Sequence, residues 1–264
     1  MRVWAVANQK GGVGKTTTTV ALAGLLAEQG HKVLMIDLDP HGSLTSYFGY
    51  DPDSLNASSY QLFQGEGNMT SDEILGLATG TSVPGLTIMP TSPALATVER
   101  QMTGKDGMGL RVNKAMKVIN GEFDYVLLDC PPVLGVLMIN ALAACERLVV
   151  PVQTEFLALK GLERMTRTMQ MIQKARPQPL QFTVVPTMFD RRTQASISSL
   201  NTLRKNYSAN LWRATIPVDT RLRDASKHGK IPSQYDSDGR AVRAYRQLLN
   251  HLLEEQKQCD KLTA

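Results

Sequence analysis

Short apolar runs alternate along this chain with longer stretches of helical period. Runs at residues 3–7, 33–37, 86–90, 125–129, 147–152, 182–186 and 211–216 read as strands. They are apolar almost throughout rather than at every second position, as strands covered on both faces are. Helical patterns follow most of them, among them 16–29, 135–145, 158–174 and 196–207. Such alternation predicts an α/β fold, a doubly wound and mostly parallel sheet with helices on both faces. Near the end, about 239–257, Val242, Tyr245, Leu248, Leu249, Leu252 and Leu253 fall on one helical stripe, a core-packing face, and a polar tail follows over about 257–264. No composition break or repeat divides the chain, so one domain over residues 1–264 is expected. The stretch 51–109 is the least regular. It is rich in Ser, Thr, Gly and Met and reads as surface helices and loops suited to partner-specific contacts.

Composition changes this picture little. The chain has 264 residues, 42% of them hydrophobic and 20% charged, enough for a sizeable core. No run approaches the roughly 18–20 apolar residues of a membrane span. The first residues enter a strand directly, unlike a signal peptide. Cys130, Cys145 and Cys259 lack metal-type spacing and do not form a disulfide framework, so a reduced, cytoplasmic protein is expected. Charge is unevenly spread. Residues 1–159 hold 10 Lys/Arg and 15 Asp/Glu, whereas residues 160–264 hold 19 and 9. A basic rear face suits nucleic acid or anionic lipid.

The densest chemistry lies in QKGGVGKTTTT, residues 9–19. Gly11, Gly12, Val13, Gly14, Lys15 and Thr16 follow a strand and open a helix, the context of a phosphate-binding loop. Glycines let backbone N–H groups curl around phosphate oxygens, and the helix N-terminus adds its dipole. Lys15 suits the β- and γ-phosphates, the Thr16 hydroxyl suits Mg²⁺, and Thr17 in the first turn is placed to donate to an α-phosphate. The chain therefore reads as a P-loop NTPase that takes a nucleoside triphosphate and Mg²⁺. Lys10, at the loop entrance, has no role in that pattern. Two acidic motifs follow. Asp37 and Asp39 leave the second strand at the edge where ligands sit beside a parallel sheet. FDYVLLDCPP ends a buried strand on Asp129, a Walker B carboxylate for Mg²⁺.

KGGVGKTT as it stands resembles the deviant Walker A ATPases typified by ParA and MinD, and the likeness runs from residue 3 to about 253. The resemblance implies that Lys10 crosses a dimer interface to the phosphates of the partner's nucleotide, so hydrolysis requires dimerisation. By the match of DLDPH to the family's DxDPQ, Asp39 orients the attacking water, and Asp37 supports the Mg²⁺ shell or the loop. His41 replaces the usual glutamine and adds a titratable group. VPTMFDRRTQAS and ATIPVDTRLRD look like later family blocks, which makes Met188, Pro217 and Asp219 candidates for nucleobase contact. Arg192 and Arg221 match nonspecific DNA-contacting arginines, with Arg191, Arg223, Lys227 and Lys230 extending the patch. Residues 218–220, Val-Asp-Thr, replace a frequent Arg-Asn-Val and reduce the positive charge there.

The implied function is an ATP-dependent dimerising switch that binds nucleoid DNA and positions a cargo with an ATPase-stimulating adaptor protein. Residues 1–17, 37–52 and 58–63 look most like relatives that place chemotaxis arrays at the cell pole (ParC-like), so a nucleoid-associated or polar location is expected. Plasmid or chromosome partition is the alternative cargo. Lipid binding is disfavoured, since the tail QKQCDKLTA is not a basic amphipathic anchor. A small-molecule kinase or amidoligase-like enzyme shares the fold and remains the reading from another class. A GTPase and an iron–sulfur carrier fit less well, for want of a guanine reader and of suitably placed bridging cysteines.

Overall fold

The computed structural model describes residues 1–64, 69–102, 108–174, 176 and 179–263. Among these are seven strands: β1 (Arg2–Val6), β2 (Val33–Asp37), β3 (Thr79–Gly80), β4 (Leu86–Met89), β5 (Tyr125–Asp129), β6 (Arg147–Gln153) and β7 (Gln181–Thr187). They form one sheet in the order β3-β4-β2-β5-β1-β6-β7. Every pairing is parallel except that of the two-residue β3 with β4. The α-helices are α1 (Lys15–Glu28), α2 (Ser43–Tyr47), α3 (Ser71–Leu75), α4 (Leu95–Met102), α5 (Arg111–Val118), α6 (Val136–Ala144), α7 (Phe156–Lys174), α8 (Gln194–Asn206), α9 (Arg221–Lys227), α10 (Pro232–Tyr235) and α11 (Arg240–Thr263).

The period of two along each strand builds two cores. Val3 and Ala5 of β1, Leu34 and Ile36 of β2, and Val126 and Leu128 of β5 enter one, with Val112 of α5, Leu137 of α6 and Leu162 of α7. Their neighbours Trp4, Val6, Val33, Met35 and Leu127 enter the other, under Leu22 and Leu26 of α1 and Leu248, Leu249 and Leu252 of α11. Burial on both faces explains why the strands read as continuous apolar runs.

Three expectations need correction. Residues 211–216 are not a strand. Asn210 and Trp212 bond Val184 of β7 as a parallel neighbour would, giving an isolated bridge at Leu211. The next bond in that ladder needs an N–H from Pro186, which proline lacks. The chain bulges instead, and Ile216 N–H reaches the Pro186 carbonyl (2.8 Å). The stretch 51–109 is not merely surface. It contains α3, α4 and β3, and it buries Phe63, Ile74, Leu95 and Val98 in the core; its residues 65–68 and 103–107 lie outside the described set. The polar tail continues α11 to Thr263, where Arg2 of β1 donates to Asp260 (2.5 Å) and Gln181 of β7 approaches Cys259.

Candidate active site

The sheet places the phosphate loop where β1 ends, between β5 and β6. Gly12 (φ 75°) and Gly14 (φ 90°) take the left-handed conformation that a side chain would strain, and a Cβ at Gly11, Gly12 or Gly14 would meet only open space. The loop therefore lies open towards a ligand. Gly14 caps α1 without any side-chain partner at that helix start, leaving its N–H groups facing the loop. Thr187 of β7 fastens the loop by donating to the Val13 carbonyl (2.9 Å), and Gln9 donates to Thr168 of α7 (2.8 Å). Lys15 is buried and its amine donates to the Lys10 carbonyl (3.3 Å), inside the curl.

The carboxylates meet this loop from the neighbouring strand ends. Asp37 and Asp129 are paired in register across β2 and β5. Thr16 Oγ1 donates to Asp129 Oδ2 (2.7 Å), and Thr19 Oγ1 donates to Asp129 Oδ1 (3.2 Å). Burial pushes the Asp129 carboxyl above its ordinary range, while Thr16, Lys15 and Thr19 pull against that. Asp37 is raised further, by burial and then by the Asp129 charge. Asp37 Oδ2 accepts from the Thr45 backbone (2.9 Å) and hydroxyl (2.7 Å), and its Oδ1 accepts from Asp39 N–H (3.1 Å). It thus organises the turn that presents Asp39. Asp39 Oδ1 receives His41 N–H (3.0 Å) and contacts His41 Nδ1 (2.8 Å).

Lys10 turns away from this cluster. Its amine pairs with Glu155, which precedes α7, and Gly161 of α7 gives its stem room: a Cβ there would lie 3.3 Å from Lys10 Cβ. Met188, Pro217 and Asp219, the candidates for nucleobase contact, line one cavity of about 370 Å³ with Gly14, Thr17 and Tyr245. Thr17 therefore faces the cavity beside Gly14. Met188 is the only described non-glycine residue with positive φ (50°). Asp219 is engaged by Arg221 N–H (3.1 Å) and Ala241 N–H (3.3 Å), which tie α9 and α11 together.

The Phe189–Pro217 bridge joins the segment that leads to Arg191 and Arg192 to the one that leads to Arg221; Arg223 and Lys227 follow on α9 and Lys230 just beyond it. Two of them are paired. Arg192 binds Asp190 through Nη2 (2.7 Å) and Nε, and Arg221 binds Asp236 (2.8 Å). The Arg192 guanidinium holds Asp190 down at about 2. Thr19, Thr45 and Glu155 were not singled out from sequence. Thr19 had a signal, three residues after Thr16 on the same helical face. Glu155 had none, being 145 residues from Lys10.

The hard-oxygen set of Thr16 and Asp129, the buried lysine and the open glycine cradle fit a magnesium–nucleoside triphosphate. No grouping of three or more His, Cys, Asp and Glu that could hold a metal by itself occurs among the described residues.

Similarity to known proteins agrees with this geometry. The AAA domain family matches residues 1–182. The chain is 35% identical over 260 residues to the chromosome partitioning protein ParA of Caulobacter vibrioides, covering 97% of this chain and 96% of that one. It is 34% identical over 245 residues to the sporulation initiation inhibitor protein Soj of Bacillus subtilis, covering 92% and 95%. A structure named cobyrinic acid a,c-diamide synthase from Mycobacterium smegmatis, with bound ATP analogue and magnesium, superposes with a TM-score of 0.82 at 33% identity, covering 97% and 96%. With its phosphate loop, its Walker B carboxylate and these relatives, the chain belongs to the ParA/MinD-type family of P-loop ATPases.

Proposed function

We propose that this partition-type ATPase is an ATP-dependent dimerising switch that binds DNA nonspecifically and positions a cargo, with chemotaxis arrays at the cell pole the first cargo to test. One observation carries the dimer. Lys10 is at the phosphate loop yet its amine is paired outside it, with Glu155. Phe156 and Leu157, next in sequence to Glu155, are 68% and 67% exposed, and Val133 in the loop after Asp129 is 61% exposed. Apolar exposure beside a misdirected lysine suits a facing copy of the chain.

In that arrangement Lys15 neutralises phosphate charge within its own subunit, Thr16 and Asp129 hold the magnesium ion, and Asp39 orients water. Lys10 of each copy adds positive charge at the other copy's phosphates, where charge stabilisation is the main lever on this chemistry. The basic side that carries Arg192 and Arg221 doubles on dimerisation, so nucleotide state sets DNA avidity. The test is DNA binding by wild type, Lys15→Gln and Arg221→Glu, with ATP and with ADP. Tight binding with ATP only, lost in both variants, is expected; equal binding with ADP removes the switch. Asp39→Ala should hydrolyse poorly and persist as the ATP-bound dimer, and normal turnover would remove its water-orienting role. Pull-downs should recover a chemotaxis component; recovery of a centromere-binding protein instead makes partition the cargo. The relative named a cobyrinic acid diamide synthase favours amide ligation as a second reading. A screen for ATP-dependent amide or phosphorylated small products separates the two.

A further inference from the structure

Glu99, on α4, lies outside every motif of the phosphate site. Its Oε2 accepts the backbone N–H of Leu137 (3.1 Å), and the Val136 N–H also stabilises the carboxylate against the upward push of burial. Val136 and Leu137 are the first two residues of α6, and Gly135 before them provides no side-chain cap. The cap thus comes from another helix. A negative carboxylate there satisfies two orphan donors and meets the positive end of the helix dipole.

Gly135 fits this reading for a specific reason. Its backbone is extended, so glycine is not needed for conformation. A Cβ added there would overlap Glu99 Oε1, so glycine is needed for room. The loop 130–135 is pinned at both ends. At one end Cys130 N–H bonds Val6 of β1 (3.2 Å) directly after Asp129, and at the other end stands the Glu99 cap. The neighbouring contacts reinforce α6 as the receiver. Its Asn140 Oδ1 accepts Val112 N–H at the start of α5 (3.2 Å), and Asn113 of α5 donates to the Ala143 carbonyl (3.2 Å).

We infer that Glu99 is a positioning residue for ATP hydrolysis: by capping α6 it fixes the 130–135 loop beside Asp129 and couples the irregular 51–109 stretch to the phosphate site. The inference rests on the ATPase reading of that site and not on the dimer or the cargo. Glu99 touches no phosphate and acts through the loop, so its loss should lower turnover more than nucleotide affinity.

The test uses the full chain in four forms, Glu99→Gln, Glu99→Ala, Gly135→Ala and the Glu99→Ala/Gly135→Ala double variant. Steady-state ATPase gives kcat and KM, and a fluorescent ADP gives affinity. Glu99→Ala should lower kcat about three- to tenfold with ADP affinity within about twofold of wild type, as expected for a lost cap that leaves Lys15 and Thr16 intact. Glu99→Gln keeps an acceptor oxygen and should restore most of kcat. Gly135→Ala displaces the carboxylate and should reproduce Glu99→Ala, and the double variant should be no worse than either single one. Unchanged kcat in folded Glu99→Ala overturns the inference, as do strictly additive losses in the double variant. If Glu99→Ala does not fold, Gly135→Ala against Glu99→Gln still decides it. Hydrolysis by a wild-type monomer would sink the proposed dimer while leaving this result readable.

Discussion

At the residue scale, two lysines five positions apart do different work because the backbone between them curls. Lys15 points into the loop and Lys10 points to Glu155. Lys10→Ala should still bind ATP within about threefold, since Lys15 keeps the local charge, yet lose most dimer-dependent turnover. Light scattering with ATPase assays checks this; full activity from a strictly monomeric Lys10→Ala protein would remove the trans role. Asp37 gives a pH signature. Burial and the Asp129 charge raise its folded value towards about 8, so the folded chain keeps this proton at a pH where the unfolded chain has released it. The folded state then binds more protons, and stability falls as pH rises. Thermal melts without nucleotide should therefore decline between about pH 4, near the ordinary carboxyl value of 3.8, and about pH 8, the Asp37 value. Asp37→Asn should flatten that slope. An unchanged slope assigns it to other groups.

At the element scale, the site depends on short pieces as much as on long helices. α2 has five residues, yet its Thr45 supplies both donors to Asp37 Oδ2. Gly42 starts α2 with φ 65°, and a Cβ there would lie 2.5 Å from Pro52 Cγ. Gly42→Ala should thus cost about 1–3 kcal/mol and weaken Asp39 presentation. A chemical denaturation midpoint close to wild type would contradict this. The long elements followed the pattern of the sequence closely, with α1 and α11 starting one residue from their predicted positions. α11 carries a repeated apolar stripe, and α1 is buried on all sides from Thr18 to Ala27. α3 and α4 carry too few turns to show a period, which is why 51–109 read as irregular.

At the scale of the whole molecule, charge separation and pairing pull in opposite directions. The rear of the chain is basic, but Arg192 and Arg221 each hold an aspartate. In the proposed DNA-bound state those ion pairs would compete with DNA phosphates, so Asp236→Asn should raise DNA affinity about 1.5- to 5-fold at low salt, the range typical of exposed pairs. Arg221→Glu should lower affinity and flatten the salt dependence. A salt series checks both, and no gain in Asp236→Asn would mean Arg221 does not meet DNA. Local spacing was enough to specify the parallel sheet, the phosphate loop and the carboxylates at strand ends, because each such pattern sets its own geometry. Packing settled that Glu155 holds Lys10, that Glu99 caps α6, that Met188, Pro217 and Asp219 line one cavity, and that Pro186 keeps residues 211–216 from pairing as a strand. Those outcomes join residues tens of positions apart, and which partners meet is fixed only when strands and helices pack, a relation that no short window of sequence contains.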